Sequence, residues 1–123
     1  TGQKVIAMIG DSTFLHAGLP SIINILNNDS SPLIIIFDNG ITAMTGHQFN
    51  AVTPLEFKKN DGKTELKIEK ILEALGIKNI LVVDPVKENK ILVNKIKEFL
   101  LRKEAGAIIC RHFCKYLKKS SRV

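Results

Sequence analysis

Apolar residues come in short unbroken runs along this chain, and each run closes on a polar cluster. Residues 5–9 (VIAMI) lead into Gly10-Asp11, and residues 33–37 (LIIIF) lead into Asp38-Asn39-Gly40. Runs of this length without alternation predict strands buried on both faces. Between them, Phe14, Leu15, Leu19, Ile22, Ile23, Ile25 and Leu26 spread nearly all round a helix over about residues 14–27. Such a helix is buried or lies against a partner. Ser12 or Thr13 could cap it, and Pro20 is tolerated only early in it or at a kink. Residues 27–32 (NNDSSP) read as a turn.

The period lapses from residue 40 to 65, a stretch punctuated by Gly40, Gly46, Pro54 and Gly62. A structureless segment of that length in a small domain is functional or disordered. Regular spacing then resumes. Leu66, Ile68, Ile71, Leu72 and Leu75 share one helical face, with Gly76 as a stop. Residues 80–83 form a strand closed by Asp84-Pro85. Residues 88–102 form an amphipathic helix with Ile91, Leu92, Ile96, Phe99 and Leu100 inward. Residues 107–110 are a last strand, and residues 115–123 read as a basic, solvated tail. This order predicts an α/β fold: three layers, α/β/α, on a mostly parallel sheet of about four strands. Right-handed crossovers place helices on both faces. Ligands of such sheets sit outside the carboxyl ends of the strands, where both polar clusters fall.

Composition narrows the picture. With 123 residues, 45% of them hydrophobic, one domain is expected. No apolar run approaches the ~20 residues that span a bilayer. The first four residues, Thr1-Gly2-Gln3-Lys4, lack a secretory pattern. The net charge is +6, and the lysine excess begins at Lys58. A solvated lysine face explains it better than nucleic acid, since aromatic platforms for bases are scarce: there is no Trp and one Tyr, Tyr116. Cys110 and Cys114 read as reduced thiols, Cys110 in the core, which suits a cytoplasmic protein. His112 between them lacks the spacing of a zinc site. His16 reads as a core histidine.

The candidate chemistry lies in the two clusters. Asp11 and two hydroxyls stand where a helix begins. Free N–H groups there attract phosphate, whereas Asp11 alone would repel it. The conflict disappears if Asp11 holds a divalent cation that bridges to the phosphate. Mg²⁺ takes oxygen ligands in octahedral geometry, often some from substrate phosphates. The Asn39 amide and backbone carbonyls after Gly40 supply neutral oxygens, provided the two strands are neighbours.

Gly10-Asp11-Ser12, followed across residues 13–38 by Asn39, resembles the thiamine diphosphate motif. More narrowly, GDSTFLHAGLPSIINILNN and LIIIFDNGITAMTGHQ are similar to the thiamine diphosphate domain of the indolepyruvate ferredoxin oxidoreductase family, large (alpha) subunit. That family belongs with the 2-oxoacid:ferredoxin oxidoreductases. The likeness is dense over residues 5–48 and looser but collinear beyond. It implies that Asp11, Asn39 and the Ile41 carbonyl are magnesium ligands. It places Gly10, Ser12 and Thr13 toward the diphosphate. It makes Thr42, Met44, Thr45, Gly46, His47 and Gln48 the bend beside the thiazolium and substrate. Ser12 departs from the general Gly-Asp-Gly pattern but suits the indolepyruvate type. Met44 stands where pyruvate-type relatives carry Asn, which favours an aryl 2-oxoacid. His47 is the candidate catalytic donor, with an exposed loop histidine as the alternative.

The resemblance also implies the setting. The activity would be oxidative decarboxylation of arylpyruvates to acyl-CoA, with coenzyme A as acyl acceptor and ferredoxin as electron acceptor. Iron–sulfur clusters and a smaller (beta) subunit would lie outside this chain. The domain would be a fragment, lacking an N-terminal part and the flanking pyrimidine-binding and ferredoxin-like domains, and inactive alone. Other readings are another thiamine diphosphate enzyme, pyruvate-type or a non-redox decarboxylase, or a flavodoxin- or receiver-like binding domain. A Gly-Asp-Ser hydrolase needs an Asp three residues before a late His. Ile109 stands three before His112.

Overall fold

The computed structural model describes residues 3–42, 46–55, 57–58 and 65–120. Four strands make the main sheet: β1 (Ile6–Gly10), β2 (Leu33–Asp38), β5 (Asn79–Val83) and β6 (Gly106–Arg111). Their order is β1-β2-β6-β5, and every neighbouring pair is parallel. Two further strands, β3 (Ile41–Thr42) and β4 (Gln48–Phe49), pair antiparallel as a small hairpin within the irregular stretch. The α/β reading with a parallel four-stranded sheet therefore holds.

The central strands match their sequence. The inner residues of β2 and β6 are buried, as unbroken Ile-rich runs require in a parallel sheet covered on both sides. The equally apolar β1 does not follow. It lies at the sheet edge and is largely exposed, with Ile6 and Met8 at 40% and 70%. Hydrophobic runs report which residues can be buried, and strand order decides which are.

The chain leaves β1 directly into α1 (Asp11–Thr13), a π-helical turn (Phe14–Gly18) and α2 (Leu19–Asn27). The helix thus starts three residues before the predicted position. Gly10 is its N-cap and no side chain caps it, contrary to the expectation for Ser12 or Thr13. Pro20, near the start of α2, has no N–H to donate, and the wider π turn just before it is where the helix absorbs that loss. The helix is not buried all round: Phe14 and Ile22 are enclosed, while Ile23 is exposed. His16 is exposed rather than in the core.

Helix α3 (Ile68–Ala74) buries Ile68 and Leu72, and α4 (Asn89–Leu101) buries Phe99. On one face of the sheet, Phe14, Ile22, Ile68 and Leu72 pack on Ile34, Ile36 and Ile109. On the other, Phe99 packs with Leu33, Ile35 and Ile108, flanked by Leu92 and Ile96. Helices thus cover both faces.

The basic tail is more than a solvated end. It carries a helix, α5 (Lys115–Ser120), that places Leu117 against Ile41 and Phe57 in a third apolar cluster. Apolar Leu117 drives this, a single residue that the surrounding lysines masked in the sequence. No helix among the described residues is long and apolar enough to cross a membrane.

Candidate functional site

The parallel pairing of β1 with β2 sets Gly10 opposite Phe37, so the two polar clusters emerge side by side at the carboxyl edge. No strand separates them. Asp11 is 4% exposed. Its Oδ1 accepts the Ser12 N–H at 2.6 Å, and its Oδ2 accepts the Gly40 N–H at 3.1 Å. The same Gly40 N–H also reaches Asp38 Oδ1 at 3.1 Å. One donor is therefore shared by two buried carboxylates, Asp11 just past the end of β1 and Asp38 at the end of β2.

Gly40 can serve both because of its backbone. Its φ is +74°, and a Cβ there would meet Leu117 Cδ1 and Phe113 Cδ1 at 3.0 Å. Asn39 Oδ1 accepts the Ile41 N–H at 3.0 Å, turning the amide back over the bend. The Thr42 hydroxyl donates to Ser12 Oγ at 3.2 Å and ties β3 to the start of α1.

Burial pushes the Asp11 carboxyl above its ordinary range. The Ser12 N–H pulls the other way, neighbouring Asp38 adds to the rise, and the Asn50 amide and Gly40 N–H oppose it. The buried Asn50 Nδ2 lies close enough to Asp11 to favour its charged form, yet it makes no hydrogen bond of ordinary geometry among the described residues. An enclosed carboxylate that burial disfavours as an ion, next to a buried amide donor that is incompletely satisfied, fits a site that takes a cation and an oxygen-rich anion. Asp11, the Asn39 amide and the Ile41 carbonyl are hard oxygen donors suited to Mg²⁺.

Ile41 is buried at the start of β3. Gly46, with φ +119°, and His47, with φ +59°, make the turn before β4. His47 is exposed, and its ring lies 4.2 Å from that of Tyr116 on α5. Met44 and Thr45 lie outside the described residues. Cys110 is buried, and burial raises its thiol pKa. His112 Nδ1 contacts Asp84 Oδ2 at 3.1 Å.

Sequence reasoning missed the residues that brace the bend. The fully buried Thr53 donates its hydroxyl to the Gly40 carbonyl, and the Asn50 N–H donates to Thr53 Oγ1 at 2.9 Å. Asp38 was seen only as part of a cluster, and Arg111 and Glu69 were not singled out. Arg111 holds both carboxylates, and its guanidinium keeps the Glu69 carboxyl below its ordinary range. A usable signal existed: two apolar strands, LIIIFD and GAIICR, each end in a charge of opposite sign.

Comparison with known proteins places the chain in a family. Residues 1–110 match the family model described as thiamine pyrophosphate enzyme, C-terminal TPP binding domain. The chain is similar to proteins named "Indolepyruvate oxidoreductase subunit IorA". It is 36% identical to that of Archaeoglobus fulgidus over 98% of this chain and 19% of the relative. It is 38% identical to that of Thermococcus kodakarensis, over 94% and 18%. It is 40% identical to that of Pyrococcus horikoshii, over 93% and 18%. The chain spans about a fifth of the length of these curated relatives. No solved structure matches it. A likeness that takes in the whole main sheet and both polar strand ends leaves the hydrolase and receiver-like readings without support: the chain belongs to the C-terminal TPP-binding domain family of thiamine pyrophosphate enzymes.

Proposed function

We propose that this chain is the thiamine diphosphate- and Mg²⁺-binding part of an indolepyruvate, or wider aryl 2-oxoacid, ferredoxin oxidoreductase. The observation that supports it most is the Gly40 N–H shared between Asp11 and Asp38, which draws the ends of β1 and β2 together next to Asn39 in the chain. The names of the archaeal relatives support the substrate class.

In this reading Asp11, Asn39 and the Ile41 carbonyl hold the cation. Gly10, Ser12 and Thr13 meet the diphosphate through N–H and hydroxyl groups at the start of α1. Thr42, Met44, Thr45 and Gly46 line the bend beside the cofactor, and His47 donates to substrate or cofactor. A cation held there would anchor the diphosphate and balance the charge of Asp11, a templating role rather than a Lewis-acid role at the reacting carbonyl. Thiamine diphosphate, when bound, supplies the decarboxylation chemistry, and the protein contributes orientation and charge balance.

The setting follows the same reading. Coenzyme A would be the acyl acceptor and ferredoxin the electron acceptor, with iron–sulfur clusters carried outside these residues. A smaller beta subunit is the partner, in the cytoplasm. Residues 1–123 act as one domain, with pyrimidine-binding and ferredoxin-like domains as its expected companions. Alone, the chain is expected to bind thiamine diphosphate weakly and to show no turnover.

Calorimetric titration with Mg²⁺ and thiamine diphosphate tests the ligand assignment. Binding heat is expected from the unchanged chain, and Asp11→Ala is expected to weaken it about tenfold or more, the cost of losing the one charged ligand. Equal heats in the two proteins overturn the assignment.

A further inference from the structure

Three charged side chains meet beside the bend, one from each of three elements. Arg111 ends β6, Asp38 ends β2, and Glu69 lies in the first turn of α3. Asp38 and Arg111 are register partners, so the sheet itself sets them side by side. Arg111 Nε donates to Asp38 Oδ2 at 2.7 Å. Its two terminal nitrogens fork onto Glu69, at 3.2 Å to Oε1 and 2.7 Å to Oε2. That bidentate geometry belongs to arginine and is out of reach of a lysine.

The two carboxylates differ in what they could do without Arg111. The Glu69 side chain is 19% exposed and could turn to water; that of Asp38 is 2% exposed and could not. Its other oxygen already shares the Gly40 N–H with Asp11. Freed of the guanidinium, Asp38 would be an enclosed, unpaired carboxylate beside the proposed cation position.

From this geometry we infer that Arg111 is a positioning residue that reserves Asp38 for itself, so that Asp11 alone meets the cation as a charged ligand. The inference rests on the proposed reading of Asp11 and Asn39 as cation ligands. It assigns the ion-pair cluster a job beyond bracing the fold. A divalent cation held by one carboxylate keeps a net positive charge with which to attract a diphosphate. Held between two carboxylates, it would be neutralised and would lose most of that attraction. Arg111 thus sets how strongly cation and diphosphate favour each other's binding, a coupling that acts equally in both directions.

Mn²⁺ serves as the paramagnetic probe, titrated into the full chain with and without thiamine diphosphate and followed by water-proton relaxation. The coupling is the ratio of the two Mn²⁺ affinities, and a thermal melt accompanies each variant. In Arg111→Met the coupling is expected to fall about tenfold or more, while Mn²⁺ alone binds as well as before or better. Adding Asp38→Asn to that variant is expected to bring the coupling back to within about threefold of the unchanged chain, because the freed charge is gone. Arg111→Lys, which retains a cation for Asp38 but not the Glu69 fork, is expected to keep it within about threefold as well. Unaltered coupling in Arg111→Met overturns the inference. So does a folded double variant that fails to recover, or a Lys variant as impaired as the Met variant; either result would make Arg111 a structural brace only. Mn²⁺ binding to the unchanged chain that thiamine diphosphate does not strengthen overturns the underlying ligand reading instead, and the inference with it.

Discussion

Gly40 concentrates more of the site's geometry than any other residue. Its N–H faces two carboxylates, its carbonyl accepts from Thr53, and Leu117 and Phe113 leave no room for a Cβ on it. Thr53→Val removes the hydroxyl while keeping the shape and leaves a buried carbonyl without that donor. The expected loss is ~1–3 kcal/mol in denaturant unfolding, with a weakened cation response. Glu69 gives a pH signature. Its side-chain bond to Arg111 lowers its pKa below the ordinary 4.5, against the opposing effect of burial. The unfolded chain therefore binds more protons than the folded one as pH drops through 4.5. The stability that Glu69 contributes is present above that pH and is lost as pH falls through the folded value. Melting temperature followed from pH 6 to pH 3 is expected to fall less steeply in Glu69→Gln than in the unchanged chain. At this scale the sequence exposed Asp11 and Asn39 because polar residues stand out after apolar runs. Thr53 and Arg111 act through partners 13 and 73 positions away, respectively, and a linear reading cannot see such pairings.

Elements were legible wherever their pattern was long. Strands β2 and β6 and helix α4 fall within a residue or two of their predicted bounds, since unbroken or amphipathic runs leave little choice. Helix starts were harder. The start at Asp11 depends on the chain turning straight out of β1, and the π turn ahead of Pro20 has no signature in hydrophobic spacing. Contact between elements also fixes single positions. Gly106 opens β6 directly beneath Phe99 of α4, and a Cβ there would stand 2.2 Å from the ring. Gly106→Ala is expected to push the ring out of the second core cluster. The cost is ~1–3 kcal/mol in equilibrium unfolding, partly relieved by pairing it with Phe99→Leu. The short α5 was missed because its burial rests on one side chain. Leu117→Ala is expected to cost ~2–5 kcal/mol and to loosen the Gly40 bend above it, which a lowered melting temperature would register.

For the molecule as a whole, the layered α/β plan followed from the order of runs, while the lateral order of strands did not. Sequence adjacency pairs β1 with β2, but the insertion of β6 between β2 and β5 depends on where α4 returns the chain. That order leaves β1 on the rim and β2 inside, so the proposed cation would be gripped by one pliant jaw and one stiff one. Amide deuteration would make the difference visible. The backbone of Ile6–Gly10 should exchange early and that of Leu33–Asp38 late. Loading the chain with metal and cofactor should then slow the first segment and leave the second almost unchanged, so that the occupied ligand cleft serves as the fastener for an otherwise loose border.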